Sequence, residues 1–377
     1  MTKRNEYIPQ TVTHPGVTLK EKLEELGMNQ KEFAVRTTKP EQTIVKVING
    51  ESSLTPDMAV QFESVVGIPA NFWLKRQQNY DEAVARTKRR DVLVAGVDWA
   101  GSFPTAKMTQ LGWLPKTENH EHKVESLLYF FGISGHQAWE DYYCGLKLKV
   151  SFRISLAHSR EPYAISAWLR QGELEAMKLD APTFCPKTFK SNLESIKKIM
   201  AGHPDDFFPL LQQLCLDAGV KVVYTPCLPK APVHGSTRWI NDNTPLIQLS
   251  ARYKQNDRFW FTFFHEAGHI LLHGKKYISI EDDAFNDIDK AKEREADAFA
   301  VRWTFSEEEE QEVLQYGSLK EKDIINFAQK FGTHPAMIIG RFHHKQFLPY
   351  TVGRQFIQPV HLDGQLTSRL AMIEEFK

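Results

Sequence analysis

The stretch that most constrains this 377-residue chain is DRFWFTFFHEAGHILLHG, residues 257–274. It is long enough for a helix and apolar on almost every side, so it reads as a buried helix. Yet its centre carries His265, Glu266 and His269, in the pattern His-Glu-x-x-His. Residues four apart share one helical face, one turn apart. Two imidazoles and a carboxylate are costly to bury without a partner. A bound cation supplies that partner, and Zn2+ suits two imidazoles. His265 and His269 are the expected ligands. Glu266, one residue on from the first, can lean toward a water activated by the ion and act as general base.

A catalytic zinc needs a third protein ligand and an open position. The next helix, DKAKEREADAFAVRWTF, contains Glu293-Arg-Glu-Ala-Asp297. Glu293 is assigned as third ligand. Asp297, on the same face, is then the acceptor that fixes the tautomer of a ligand histidine. Glu295 points to another side of that helix and is set aside. His273, a turn beyond His269, has two readings: a ligand in place of Glu293, or a neighbour facing the ligands or the substrate. His273 and Tyr253 are the candidates for steadying an oxyanion. His120, His122, His343 and His344 read as solvated histidines.

Upstream, the first 80 or so residues read as short helices with tight turns. Leu19, Leu23 and Leu26 mark one apolar face, stopped by Gly27. Asn29 caps QKEFAVRT, and Thr37-Thr38-Lys39 forms a turn before Pro40. PEQTIVKVIN ends at Gly50, and Thr55 caps PDMAVQFESVV. A charged stretch ends in Lys88-Arg89-Arg90. Residues from about 105 to 215 read as a helical, aromatic-rich spacer. After Gly219, VKVVYTP and PLIQLS read as strands. Between them, His234-Gly235-Ser236 and Asn241-Asp242-Asn243 read as turns. The expected organisation is 1–90, a helix-turn-helix domain; 91–215, a helical spacer; 216–345, a metallopeptidase core with a small sheet; and 346–377, a tail of unassigned fold. The fold class is α+β, mostly α.

Lys and Arg number 47, as do Asp and Glu, so net charge is zero and any nucleic-acid contact must be a local patch. MTKRNEYIPQ lacks the apolar core of about 7–15 residues expected of a secretory signal. No stretch approaches the roughly 18 apolar residues of a membrane span. Cys144, Cys185, Cys215 and Cys227 form no Cys-x-x-Cys pair and suit reduced, buried thiols. The expected compartment is the cytoplasm.

The segment PLIQLSARYKQNDRFWFTFFHEAGHILLHG, then EREADAFA, resembles the ImmA/IrrE metallo-endopeptidases. The likeness covers about residues 150 to 345, including GSTRWIND. It implies zinc on His265, His269 and Glu293, Glu266 as base, and a regulatory protein such as a repressor as substrate. HPGVTLKEKLEELGMNQKEFAVRTT and INGESSLTPDMAVQFESVVGIPANFWLKRQQNYD resemble the HigA-like antitoxins, a helix-turn-helix family. That implies binding to double-stranded operator DNA, as a dimer, with Glu41, Gln42, Thr43 and Lys46 facing the major groove. Lys75, Arg76, Lys88, Arg89 and Arg90 would meet phosphates. The chain departs from that family in its motif turn, where Thr37-Thr38 replaces a small residue or Gly, and in the acidic Glu41. The alternative reading is a repressor or antitoxin, with a toxin partner, whose zinc domain senses and does not cleave.

Overall fold

The computed structural model describes residues 12–144, 161–229, 231, 233–276, 279–282, 290–317 and 319–362. The chain forms two compact units, Met1–Ala95 and Gly96–Lys377. The lengths read above as spacer, peptidase core and tail fall in the second, except residues 91–95.

The first unit is all helical: α1 (Pro15–Glu25), α2 (Gln30–Arg36), α3 (Glu41–Ile48), α4 (Pro56–Val66) and α5 (Ala70–Ala95). His14 starts it. Its Nδ1 accepts from the Gly16 amide at 3.0 Å, and Pro15 opens α1 at a position that needs no N–H. Gly16 serves close approach: a Cβ there would lie 1.9 Å from the Val47 carbonyl oxygen. α1 therefore rests directly on α3. Asn29 and Thr55 cap α2 and α4 through their side chains. Leu19, Phe33, Ile44, Val47, Phe62 and Trp73 close one core. Burial of Ile44, Val47 and Ile48 turns the opposite side of α3 outward, and Glu41, Gln42 and Lys46 are exposed there beside half-buried Thr43.

The turn between α2 and α3 stores strain. Thr37 is buried, its Oγ1 donating to the Phe33 carbonyl at 2.8 Å. Thr38 is exposed and has φ 55°. A left-handed backbone costs an L-residue about 1–2 kcal/mol, and β-branched residues suit it least. Glycine removes that cost but adds chain entropy to the unfolded state. Thr38→Gly is therefore expected to stabilise this unit by about 1 kcal/mol net. A higher denaturation midpoint would show it; an unchanged or lower one would mean the turn is not strained.

The second unit begins with α6 (Val97–Gly101), α7 (Thr105–Gln110), α8 (His120–Phe131) and α9 (His136–Trp139). Trp99, Phe103, Phe131, Trp139 and Tyr163 form its aromatic core, with Trp139 stacked on Tyr163 at 4.7 Å. Then come α10 (Pro162–Met177), α11 (Pro186–Gly202) and α12 (Phe207–Asp217). A four-stranded sheet follows: β1 (Lys221–Tyr224), β2 (Val233–Asn241), β3 (Thr244–Leu249) and β4 (Ser279–Asp282), in the order β1-β3-β2-β4. β3 runs parallel to β1 and antiparallel to β2, and β2 antiparallel to β4. The remaining helices are α13 (Asn256–Gly268), α14 (Lys290–Thr304), α15 (Glu307–Tyr316), α16 (Glu321–Phe331) and α17 (Pro335–His344). The molecule is α+β and mostly α.

Strand alternation gives the sheet two buried faces. Val222, Tyr224, Ile247 and Leu249 join Phe259, Trp260, Phe263 and Phe264 of α13 in the main core. Val223 and Leu246 pack with Ala176 of α10 on the other side. There the buried Arg238 donates to Gln248 Oε1 at 2.9 Å and to the Leu169 carbonyl at 2.6 Å. Gln248 donates to the Trp168 carbonyl at 2.7 Å, so α10 is tied to the sheet by polar bonds as well as apolar contact.

Three expectations change. His234-Gly235-Ser236 is not a turn but part of β2; Asp242 and Asn243 do form one. His343 is buried and its Nε2 donates to the Val352 carbonyl at 2.8 Å, whereas His120, His122 and His344 are exposed. Cys215 is buried, but Cys185 is exposed at the start of α11.

Candidate metal centre

α13 carries the histidines because its aromatic residues bury it between the sheet and α14. Gly268 lets α14 come close: a Cβ there would stand 3.2 Å from the Phe299 ring. That approach brings Glu293, in the first turn of α14, over the His265–His269 face. His265 Nε2 and His269 Nε2 are 3.0 Å apart. Glu293 Oε2 is 3.2 Å from the first and Oε1 3.6 Å from the second. Among the described residues, His265, His269 and Glu293 form the one His/Cys/Asp/Glu group able to hold a metal ion.

The outer bonds set the tautomers. Asp297 Oδ1 lies 2.9 Å from His265 Nδ1. A carboxylate accepts, so that Nδ1 donates and Nε2 keeps its lone pair. After Gly268 the helix widens into a π turn, His269–His273. Such turns gather at functional sites. Here the turn brings His273 Nδ1 to 2.9 Å from His269 Nδ1, and His273 Nε2 to 3.0 Å from Glu295 Oε2. Glu295 accepts from Nε2–H of His273. The Nδ1 of neutral His273 then accepts from His269, whose Nε2 also keeps its lone pair. Burial pushes the His269 imidazole down to about 4, against the opposing effect of Glu293, so it is neutral at neutral pH. Two nitrogen lone pairs and a carboxylate facing one another repel unless a cation lies among them. The donor set, nitrogen and oxygen without sulfur, fits zinc.

Glu266 is wholly buried beside this group. β2 crosses it so closely that a Cβ on Gly235 would fall 2.7 Å from both Glu266 Oε1 and Thr262 Cγ2. Thr237 of β2 donates to the Glu266 carbonyl at 3.1 Å and holds the strand there. Gly235 therefore fills a close-approach role, which accounts for a glycine within a strand.

Glu295, set aside as a ligand by its direction on an ideal helix, meets His273 instead, because the π turn moves His273 toward it. Loss of such an outer partner typically lowers metal affinity about 10–100-fold. Glu295→Ala is expected to do so, measured by chelator competition. An affinity within about twofold of wild type would remove Glu295 from the metal centre. Tyr253 stacks with His234 at 5.2 Å and lies under the Arg258 guanidinium at 3.9 Å.

Comparison with known proteins finds two family matches. The IrrE N-terminal-like domain model matches residues 215–343, and a helix-turn-helix model matches residues 19–73. An uncharacterized HTH-type transcriptional regulator of Escherichia coli, YddM, is 32% identical over 71 residues, 19% of this chain and 76% of that protein. Among solved structures, a HigA family addiction module antidote protein from Coxiella burnetii is 31% identical, covering 21% of this chain and 87% of that one, with TM-score 0.21. The Pseudomonas aeruginosa antitoxin HigA with higBA promoter is 24% identical over 21% of this chain and 86% of that one, with TM-score 0.20.

Proposed function

Because the chain belongs to the helix-turn-helix transcriptional regulators and carries an IrrE N-terminal-like peptidase domain, we propose that it is a DNA-binding regulator whose second unit hydrolyses peptide bonds in a regulatory protein with zinc. The observation that carries this reading is the convergence of His265, His269 and Glu293 beside the buried Glu266. Bound zinc supplies the Lewis acidity that polarises a carbonyl and lowers the pKa of water from about 15.7 toward 7. Glu266 takes a proton from the attacking water on its carboxylate and passes it to the leaving amine nitrogen. Asp297 and the His273–Glu295 pair hold the two imidazoles in the tautomers the site needs. In the first unit, Glu41, Gln42, Thr43 and Lys46 of α3 form the face offered to operator DNA, in a homodimer. The protein substrate is a repressor or a partner of the regulator, in the cytoplasm. No helix among the described residues is long and apolar enough to cross a membrane.

Elemental analysis of purified wild type and His265→Ala tests the reading first. One zinc per chain, lost in the variant, is expected. Protein purified without chelators and free of zinc would remove hydrolysis from the proposal and leave a DNA-binding regulator. Zinc with operator binding, but no cleavage of any protein co-purifying with the Glu266→Gln trap, would favour a sensing domain.

A further inference from the structure

Two residues of β2 grip the same residue of α13 at its two ends. Gly235 lies against the Glu266 carboxylate. Thr237, two residues on and so on the same face of the strand, donates from Oγ1 to the Glu266 carbonyl at 3.1 Å. Thr237 is buried, and its place is fixed from both sides, because it pairs with Ile247 of β3 and with Ser279 of β4. A carbonyl within an α-helix ordinarily accepts from the amide four residues on. The Glu266 carbonyl accepts in addition from a side chain of another element. Such a bond is costly to lose, since a buried acceptor has no water to turn to.

The bond falls where the helix changes form. The His269 amide is shared between the His265 and Glu266 carbonyls, and the π turn His269–His273 begins at that residue. A side chain that enters the backbone ladder bends or widens a helix locally. Drawn toward β2, the Glu266 carbonyl leans away from the helix axis, and the turn beyond it closes with i→i+5 bonds. The effect is felt at the histidines. At about 100° per residue, an α-helix would set His273 about 40° round from His269. The wider turn returns it to a place above His269, with the two Nδ1 atoms 2.9 Å apart and His273 Nε2 3.0 Å from Glu295 Oε2. We propose, on the zinc reading above, that Thr237 is a positioning residue of the metal centre. Its hydroxyl holds the Glu266 carbonyl so that the π turn forms and seats His273 on the ligand His269. Thr237 touches neither the ligand atoms nor the outer partners, and acts through the course of the helix alone.

Zinc affinity of the full-length protein, read by competition with a chromogenic chelator, tests this role. Thr237→Val keeps the branched shape that suits a strand but has no donor. It is expected to weaken zinc binding about tenfold, as loss of an outer partner of a ligand histidine does. Thr237→Ser keeps the hydroxyl and is expected to stay within about twofold of wild type. Thr237→Val/His273→Ala is expected to bind zinc within about twofold of His273→Ala alone, because both changes remove the same support. Melting of the zinc-free proteins reports folding separately, and Thr237→Ala, which also lacks the donor, replaces Thr237→Val should that variant not fold. Affinity of the donor-less variant within about twofold of wild type would overturn the role. So would an equal loss in Thr237→Ser, which would make the effect one of packing, or losses that multiply in the double variant, which would place it away from His273. A wild type that binds no zinc would remove the zinc reading and this role together. The expected affinities in a protein that cuts no peptide would remove hydrolysis and leave the role of Thr237 standing.

Discussion

Glu266→Gln protein is expected to hold one zinc per chain and to hydrolyse peptides about 10²–10⁴-fold more slowly than wild type, the usual contribution of a positioned general base. The change removes little else. Glutamine matches glutamate in size, and Glu266 is wholly buried, so an uncharged amide is no harder to pack there. The ligand atoms belong to His265, His269 and Glu293, and the outer partners to Asp297, His273 and Glu295. None is altered. What the amide lacks is the ability to take a proton from water and return it to the amine. Expressed as a barrier, the loss is about 2.7–5.5 kcal/mol. The decisive comparison is kcat against metal content. Turnover within about threefold of wild type at full zinc loading would show that Glu266 is not the base. Loss of zinc together with turnover would make its role structural.

The same site shows what the sequence could and could not disclose. His265, Glu266 and His269 lie on one helix, where spacing converts directly into geometry, so their grouping was legible. The second helix was legible too, since a Glu and an Asp four apart share a face. Glu295 was not, because its contact with His273 depends on the π turn after Gly268 and on the close packing that Gly268 permits. Gly235 was misread for a related reason. A glycine between His and Ser signals a turn locally, but here its absent side chain makes room for Glu266 and Thr262 of another element. His343 looked like one of a solvated pair. Only the tertiary fold brings the Val352 carbonyl to its ring and buries it. In the first unit the local signals sufficed. Caps at Asn29 and Thr55, Pro at helix starts and apolar spacing are all short-range features. Local signals fall short where one residue answers to a distant partner.

One distant partnership anchors the helix that carries the histidines. Glu310 of α15 is 2% exposed, and its carboxylate accepts from Arg341 Nε and from Lys345 Nζ at the end of α17. α17 in turn lies against the start of α13, where Gly340 leaves room for Asp257. Glu310→Ala would leave Arg341, with a side chain only 13% exposed, without its counter-charge, whereas Lys345 at 37% can turn to water. Breaking one partner out of a buried ion pair costs about 3–5 kcal/mol. With only Arg341 stranded, the lower end applies: about 3 kcal/mol, or roughly 6–12 °C in melting temperature for a unit of this size. Burial opposes ionisation of Glu310, but the bonds from Lys345 and Arg341 outweigh it and hold the carboxyl below its usual range. A depressed folded-state value means the stabilisation is complete above the unfolded value of about 4.3 and fades as pH falls through the folded one. The melting temperatures of wild type and Glu310→Ala should therefore differ most at pH 7 and draw together in acid, as pH falls through the depressed folded-state value. The double change Glu310→Leu/Arg341→Met should recover much of the loss, since a packed apolar pair can replace a buried ionic one. A constant gap from pH 7 to pH 3 would assign the loss to packing. Equal melting temperatures at pH 7 would show that the clamp contributes nothing to holding α17 against α15.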